Sequence, residues 1–220
     1  MSGALAPRLH LLGDAALLCD LPGPATFVQQ QKIWALAREA GRWSGVGEVL
    51  PGMNNLTLTF DPTAVDLEAL SARVLEAWPR LEAGGIEGRD IEIPVAYGGE
   101  HGPDLADVAA HTGLSTTEVV RRHAAAEYVV YLLGFLPGFA FLGGLPAALA
   151  TPRRAEPRTA VPPGSVGIGG EQTGIYPLRS PGGWQLIGRT EVALFDPLAA
   201  SPTLLRPGDR VRFVVESLRP

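Results

Sequence analysis

The chain has 220 residues, with 18 basic and 23 acidic side chains, a net charge of −5 and a pI near 5.4. That balance removes the electrostatic basis for binding nucleic acid or an anionic membrane surface. A hydrophobic share of 46% against 19% charged residues excludes a disordered chain, and no apolar run reaches the ~20 residues that span a bilayer. The start, MSGALAPRLHLLGDAALLCDLPG, is broken by Asp14 and is not expected to act as a leader. Cys19 is the one cysteine and fits a reducing cytoplasm. Lys32 is the one lysine, so phosphate chemistry would fall to arginine, to backbone N–H groups or to a partner chain.

In chain order, LHLLGDAALLCDL reads as strand with a turn at Gly13–Asp14. Pro24 is expected to open a helix that runs to Ala40 and stops at Gly41. GVGEVLPGMNNLTLTF follows as two strands joined through Pro51–Gly52. Asp61–Pro62 leads into a second helix with Leu67, Leu70, Val74 and Leu75 on its face, ending before Pro79. RDIEIPVAY (89–97) alternates as a strand at the junction. The order strand–helix–strand–strand–helix–strand predicts a ferredoxin-like α+β domain. Two short helices, about 104–111 and 115–125, then precede strands separated by Gly/Pro turns, the pattern of a β-barrel or sandwich. The expected domains are 1–88 and 89–220.

LADVAAHTGLSTTEVVRRH is spaced like a helix-turn-helix, yet Glu118 occupies a base-reading position and Arg121 and Arg122 come late in the second helix. Ser115 and Glu118 predict a capping box there. The four histidines show no metal-binding spacing, and no metal site is expected. His123 reads either as a helix-end packing residue or as an acid/base. Phe135, Phe139 and Phe141 in GFLPGFAFLGGLP form either a packing corner or an apolar wall for a ligand or partner. TPRRAEPRTAVPPG holds Arg153, Arg154 and Arg158 on a proline-stiffened backbone suited to an anion site. GIGGEQTGIYPLRSPGGW (167–184) is either a set of tight barrel turns or a stiff loop that presents Gln172, Thr173, Tyr176 and Trp184 to a small molecule.

Taken together, GEVLPGMNNLTLTFDP, IPVAYGGEHGPDL, LLGFLPGFAFLGGLP, TPRRAEPRTAVPPGSVGIGGEQTGIYPLRSPGGWQLIGRT and LFDP…PTLLRPGDRVRF resemble the 5-oxoprolinase B-subunit family. That family has also been called allophanate hydrolase subunit 1 or the kinase-A inhibitor family. The resemblance runs from about residue 8 to 214 with the order of motifs preserved. It implies a ferredoxin-like N-terminal domain followed by a cyclophilin-like β-barrel. It also implies a second cyclophilin-like subunit and a third, metal-dependent subunit. Together these would convert 5-oxoproline to glutamate with ATP, the Mg²⁺-bound nucleotide being shared with the partner. Implied roles fall to His123 as acid/base and to Arg153 and Arg158 for phosphate charge. Gln172, Thr173, Tyr176, Trp184 and Phe139 are implied to contact substrate, and Gly164, Ser165 and Arg189 to face phosphate or partner. Pro137 and Gly138 also match the motif. Two positions depart from it: Phe141 replaces the usual tyrosine, and Asn54–Asn55 occupies the N-terminal hairpin near the usual serine. The same resemblance allows inhibition of a sensor histidine kinase, allophanate or urea breakdown, or prolyl isomerisation.

Overall fold

The computed structural model describes residues 6–84 and 86–219, which form two compact units divided between Ile86 and Glu87. Residues 1–5, the beginning of the segment read for a leader, lie outside the described residues. No helix among the described residues is long and apolar enough to cross a membrane.

The first unit contains β1 (Arg8–Leu12), β2 (Ala16–Asp20), α1 (Phe27–Ala40), β3 (Val46–Pro51), β4 (Asn55–Phe60) and α2 (Leu67–Ala77). Its sheet is antiparallel throughout, in the order β1-β2-β4-β3. β1 and β2 form a hairpin closed by Leu12↔Ala16, with Gly13 at φ +62° in the turn. Helix α1 begins later than predicted. Thr26, not Pro24, caps it, and the Gln29 side chain completes a capping box with the Thr26 backbone. Period-two alternation on β2 and β4 buries Leu17, Cys19, Leu56, Leu58 and Phe60 against Ile33 and Leu36 of α1 and Leu70 and Val74 of α2. Leu75 falls outside this set and is 46% exposed. Burial pushes the Cys19 thiol up to about 12, so it is an inert core group. The Asn54–Asn55 turn needs its first asparagine. Asn54 adopts φ +60°, donates to the carbonyls of Leu21 and Gly23, and its own N–H donates to Gln30.

Residues 89–97, counted as the last strand of the ferredoxin-like order although the expected boundary fell just before them, do not enter this sheet. They belong to β5 (Asp90–Gly98) of the second unit, and the edge position beside β2 is taken by β1. A strand pattern records which face is buried but not which sheet buries it. The second unit continues with α3 (Leu105–Thr112), α4 (Thr116–Ala125), β6 (Tyr128–Leu133), β7 (Ala140–Gly143), β8 (Arg158–Val161), β9 (Ser165–Gly169), β10 (Gln172–Ile175), β11 (Ser180–Gly182), β12 (Gln185–Arg189) and β13 (Arg210–Arg219). Seven strands close a barrel in the order β10-β7-β6-β13-β5-β12-β9. β13 runs parallel to β5 and antiparallel to β6, closing the barrel interior around Ile93, Val95, Val130, Val166, Ile168 and Phe213. β8 and β11 make a two-stranded ribbon of their own. Ser115 caps α4 by accepting from the Glu118 N–H. The Glu118 carboxylate is instead held by Arg121 and Arg122, which draw its pKa down to about 2 and are themselves committed along the helix.

Candidate functional site

A cleft of about 340 Å³ opens on the outer side of the barrel. Its aromatic walls start with the 134–139 loop. Leu136 N–H donates to the Gly134 carbonyl across a γ-turn whose central residue, Phe135, sits at φ +67°. Phe139 N–H then donates to Leu136 across a turn with Pro137 second and Gly138 third, at φ +81°. The two turns place Phe135 at the rim, 62% exposed, and bury Phe139 at the floor. Phe135 meets Phe139 edge-on at 5.5 Å, and Phe139 meets Phe141, Tyr176 and Trp184 edge-on at 5.0–5.5 Å.

Glycines make room for these rings. A Cβ on Gly169 would collide with the Trp184 indole at Nε1, and one on Gly182 would stand 2.5 Å from the Tyr176 hydroxyl. Burial raises the Tyr176 phenol pKa against the opposing pull of the Trp184 N–H, Arg153 and Arg158, so the group remains an O–H donor at neutral pH. One side of the cleft is the irregular arm 152–157, which supplies Arg153 and Pro157 to the lining. The Arg153 guanidinium lies over the Trp184 ring, 6.0 Å from its centroid.

Arg158 is not available in the same way. It donates to Asp104 Oδ1 at 2.7 Å, as Arg154 does at 3.0 Å, behind the cleft wall. Asp104 is 2% exposed, and its other oxygen accepts the Leu186 N–H at 2.6 Å. The sequence pattern hides this carboxylate because its place before α3 marks an ordinary helix cap, yet its side chain makes no cap bond.

The expected acid/base, His123, and one expected substrate contact, Thr173, face inward instead. His123 is fully buried in the barrel, stacked on Phe213 at 4.6 Å. Its Nε2 lies 2.9 Å from Thr173 Oγ1, and Thr173 in turn donates to the Gly167 carbonyl at 3.0 Å. With that hydroxyl proton already placed, His123 carries its own proton on Nε2, and Nδ1 accepts from Tyr97 O–H at 2.8 Å. Burial pushes the His123 pKa down to about 3 and the Tyr97 pKa well up, so every member of the chain is neutral. An acid/base at this position would have no route to solvent. His123 and Thr173 are therefore core groups, a correction to their expected roles. Gln172, on the opposite face of β10, lies beyond the cleft's lining residues.

The expected phosphate loop also has another use. Gly164 N–H donates to Tyr176 O, Ser165 N–H to Pro162 O, and Ser165 itself is buried. A Cβ on Gly164, at φ +80°, would collide with Thr190 O. The glycine serves close strand packing rather than an anion nest. Arg189 is one-third exposed and faces Glu191 at 3.7 Å.

Residues 7–205 match the family described as the carboxyltransferase domain, subdomains C and D, which sets the class of this fold. The chain is 55% identical over 208 residues to the 5-oxoprolinase B-subunit of Escherichia coli O157:H7, covering 94% of this chain and 95% of that one. It is 51% identical over 207 residues to the 5-oxoprolinase B-subunit of Haemophilus influenzae (strain ATCC 51907 / DSM 11121 / KW20 / Rd), covering 94% and 97% respectively. The chain belongs to the 5-oxoprolinase B-subunit family. Among solved structures, TTHA0988 superposes with a TM-score of 0.76 at 40% identity over 93% of this chain. This chain spans 40% of that longer protein.

Proposed function

We propose that this chain is a subunit of an ATP-dependent 5-oxoprolinase, acting with a second cyclophilin-like subunit and a metal-dependent one. On this reading the barrel is a cyclophilin-like domain (89–220), and the first unit (1–88) is a ferredoxin-like variant whose edge strand comes from the N-terminal hairpin. The observation that carries the proposal is the cleft itself. It offers a small lactam walls of edge-on aromatics, with the edge of the Trp184 indole at its base and one cation free of a carboxylate partner, Arg153, for the substrate carboxylate. Tyr176 O–H can donate to the lactam carbonyl and polarise it.

The residues present supply at most part of a cradle for a nucleoside triphosphate with its magnesium. Arg154 and Arg158 are paired with Asp104, and the N–H groups of Gly164 and Ser165 are engaged in the barrel. No group of three acidic, histidine or cysteine side chains able to hold a metal stands among the described residues. The rest of that cradle is assigned to the partner subunit, making the active site a shared one. This chain binds the lactam, orients its carbonyl oxygen toward the partner and shields it from water.

The test is turnover by the reconstituted three-subunit complex. 5-Oxoproline-dependent release of ADP and glutamate, lost when this chain is withheld, is the expected result. A second reading, which the family resemblance allows, is chemistry on a urea-type amide; it would give urea- or allophanate-dependent turnover and none with 5-oxoproline.

A further inference from the structure

We infer that Asp104 is a positioning residue of the lactam cleft: its one buried carboxylate anchors the arm that holds Arg153 over Trp184. The inference rests on the cleft being the lactam site.

The arm from residue 152 to 157 has few other attachments to the barrel. Thr151 bridges to Gly170, Arg154 N–H donates to Gly183 O at 2.7 Å, and Gln185 Nε2 donates to Pro152 O at 3.0 Å. Asp104 adds two charged bonds, one from Arg154 within the arm, Nη1 at 3.0 Å, and one from Arg158 at the start of β8 just beyond it, Nη2 at 2.7 Å. The carboxylate is itself fixed on the barrel, since Leu186 N–H donates to its Oδ2 at 2.6 Å and Asp104 N–H donates back to Leu186 O at 2.9 Å. Leu186 stands two residues after Trp184. One aspartate thus ties the arm that carries Arg153 to the strand that follows the indole beneath it.

With Arg154 drawn inward to Asp104, Arg153 is turned out to the cleft, where Arg153 lines the wall and Arg154 does not. The prolines at 152 and 157 restrict the arm further.

Charge and position predict opposite signs for removal of this carboxylate. Two guanidinium groups share one carboxylate, so neutralising Asp104 raises the local positive charge, and on charge alone an anionic substrate would bind more tightly. If Asp104 acts by position, binding weakens.

The test uses Asp104→Asn in the full complex. The KM for 5-oxoproline is expected to rise about tenfold, which is about 1.4 kcal/mol of binding, with kcat changed less than about twofold. In an Arg153→Ala background the same substitution should add less than about twofold, because its route of action is already gone. An unchanged or lowered KM in the folded variant, or a full tenfold effect in the Arg153→Ala background, would overturn the inference. If Asp104→Asn does not fold, Arg154→Ala, which removes the arm's own bond to Asp104 and leaves that carboxylate paired with Arg158, takes its place; its added effect in the Arg153→Ala background then decides, less than about twofold if it acts by position and undiminished if it acts by charge. If the wild-type complex shows no lactam-dependent turnover, the lactam reading fails by itself. Amide exchange of the arm in the full chain then decides. Exchange over 153–156 should quicken about tenfold in the variant while the barrel strands stay protected; an arm unchanged by the substitution contradicts the anchor.

Discussion

The two faces of β9 and β10 are built for opposite purposes. Inside the barrel, Thr173 and His123 belong to a chain of neutral hydrogen bonds, from Tyr97 to the Gly167 carbonyl, with no exposed member. Outside, Gly169 and Gly174 of the same strands present bare backbone, on which Trp184 and Phe139 rest. The inner face satisfies every polar group and excludes water, the condition for a unique core. The outer face leaves an arginine without a carboxylate partner beside an exposed aromatic rim, the condition for a ligand site. Adjacent residues on one strand thus serve stability and binding separately.

The largest test of this division is His123→Ala. It should cost about 3 kcal/mol of stability, from the lost ring packing and the unpaired Tyr97 hydroxyl. Because the cleft is on the other face, the KM for 5-oxoproline measured at a temperature where the variant is folded should stay within about twofold of wild type. Denaturant unfolding and steady-state kinetics check the two halves.

Next comes Arg153→Ala, the converse case. Removing the cleft's cation that is free of a carboxylate partner should raise the KM for 5-oxoproline by about 10- to 30-fold, or ~1.5–2 kcal/mol, by loss of a charged contact to the substrate carboxylate. The melting temperature should not move by more than about 2 °C, since an exposed cation–π contact contributes little. A Tm loss as large as that of His123→Ala would erase the distinction.

Acid sharpens the comparison from the inner side. His123 is held at about 3 when folded and titrates near 6.5 when unfolded. The unfolded chain therefore takes up the proton first, and stability is lost as pH falls below about 6.5 at up to ~1.4 kcal/mol per pH unit until the folded pKa is reached. Between pH 6.5 and 5 the wild-type stability should decline along that slope, and His123→Gln should be flatter over the same range. Equal slopes would show that another group governs acid sensitivity.

The smallest effect concerns the rim. Phe135 is a non-glycine residue at φ +67°, so Phe135→Gly relieves backbone strain on the order of 1 kcal/mol while losing its edge-on contacts to Phe139 and Tyr176. The net change in unfolding free energy should be within about 0.5 kcal/mol of zero, with substrate KM raised about threefold. A large destabilisation would make Phe135 part of the core instead of the cleft's edge.

Much of this architecture is legible in the sequence. The hairpin at Gly13–Asp14, the helix stop at Gly41 and the Ser115 cap follow from local chemistry, and the 134–146 and 151–190 motifs mark the cleft. What is hidden has physical causes. In β9 and β10, glycines at 167, 169 and 174 remove the side chains by which period-two alternation announces a face, so Thr173 could be grouped with Trp184 although they lie on opposite sides. His123 carries no local sign of full burial. Asp104 is 50 and 54 residues from the arginines it binds, a pairing that only the closed barrel creates.

The most direct test of the outward cleft as the lactam site is the electron density of 5-oxoproline in crystals of the assembled complex. The account predicts the lactam ring against the Trp184 edge, with its carboxylate within hydrogen-bond distance of Arg153. Ordered lactam elsewhere in the complex, with the cleft holding only water, would contradict it.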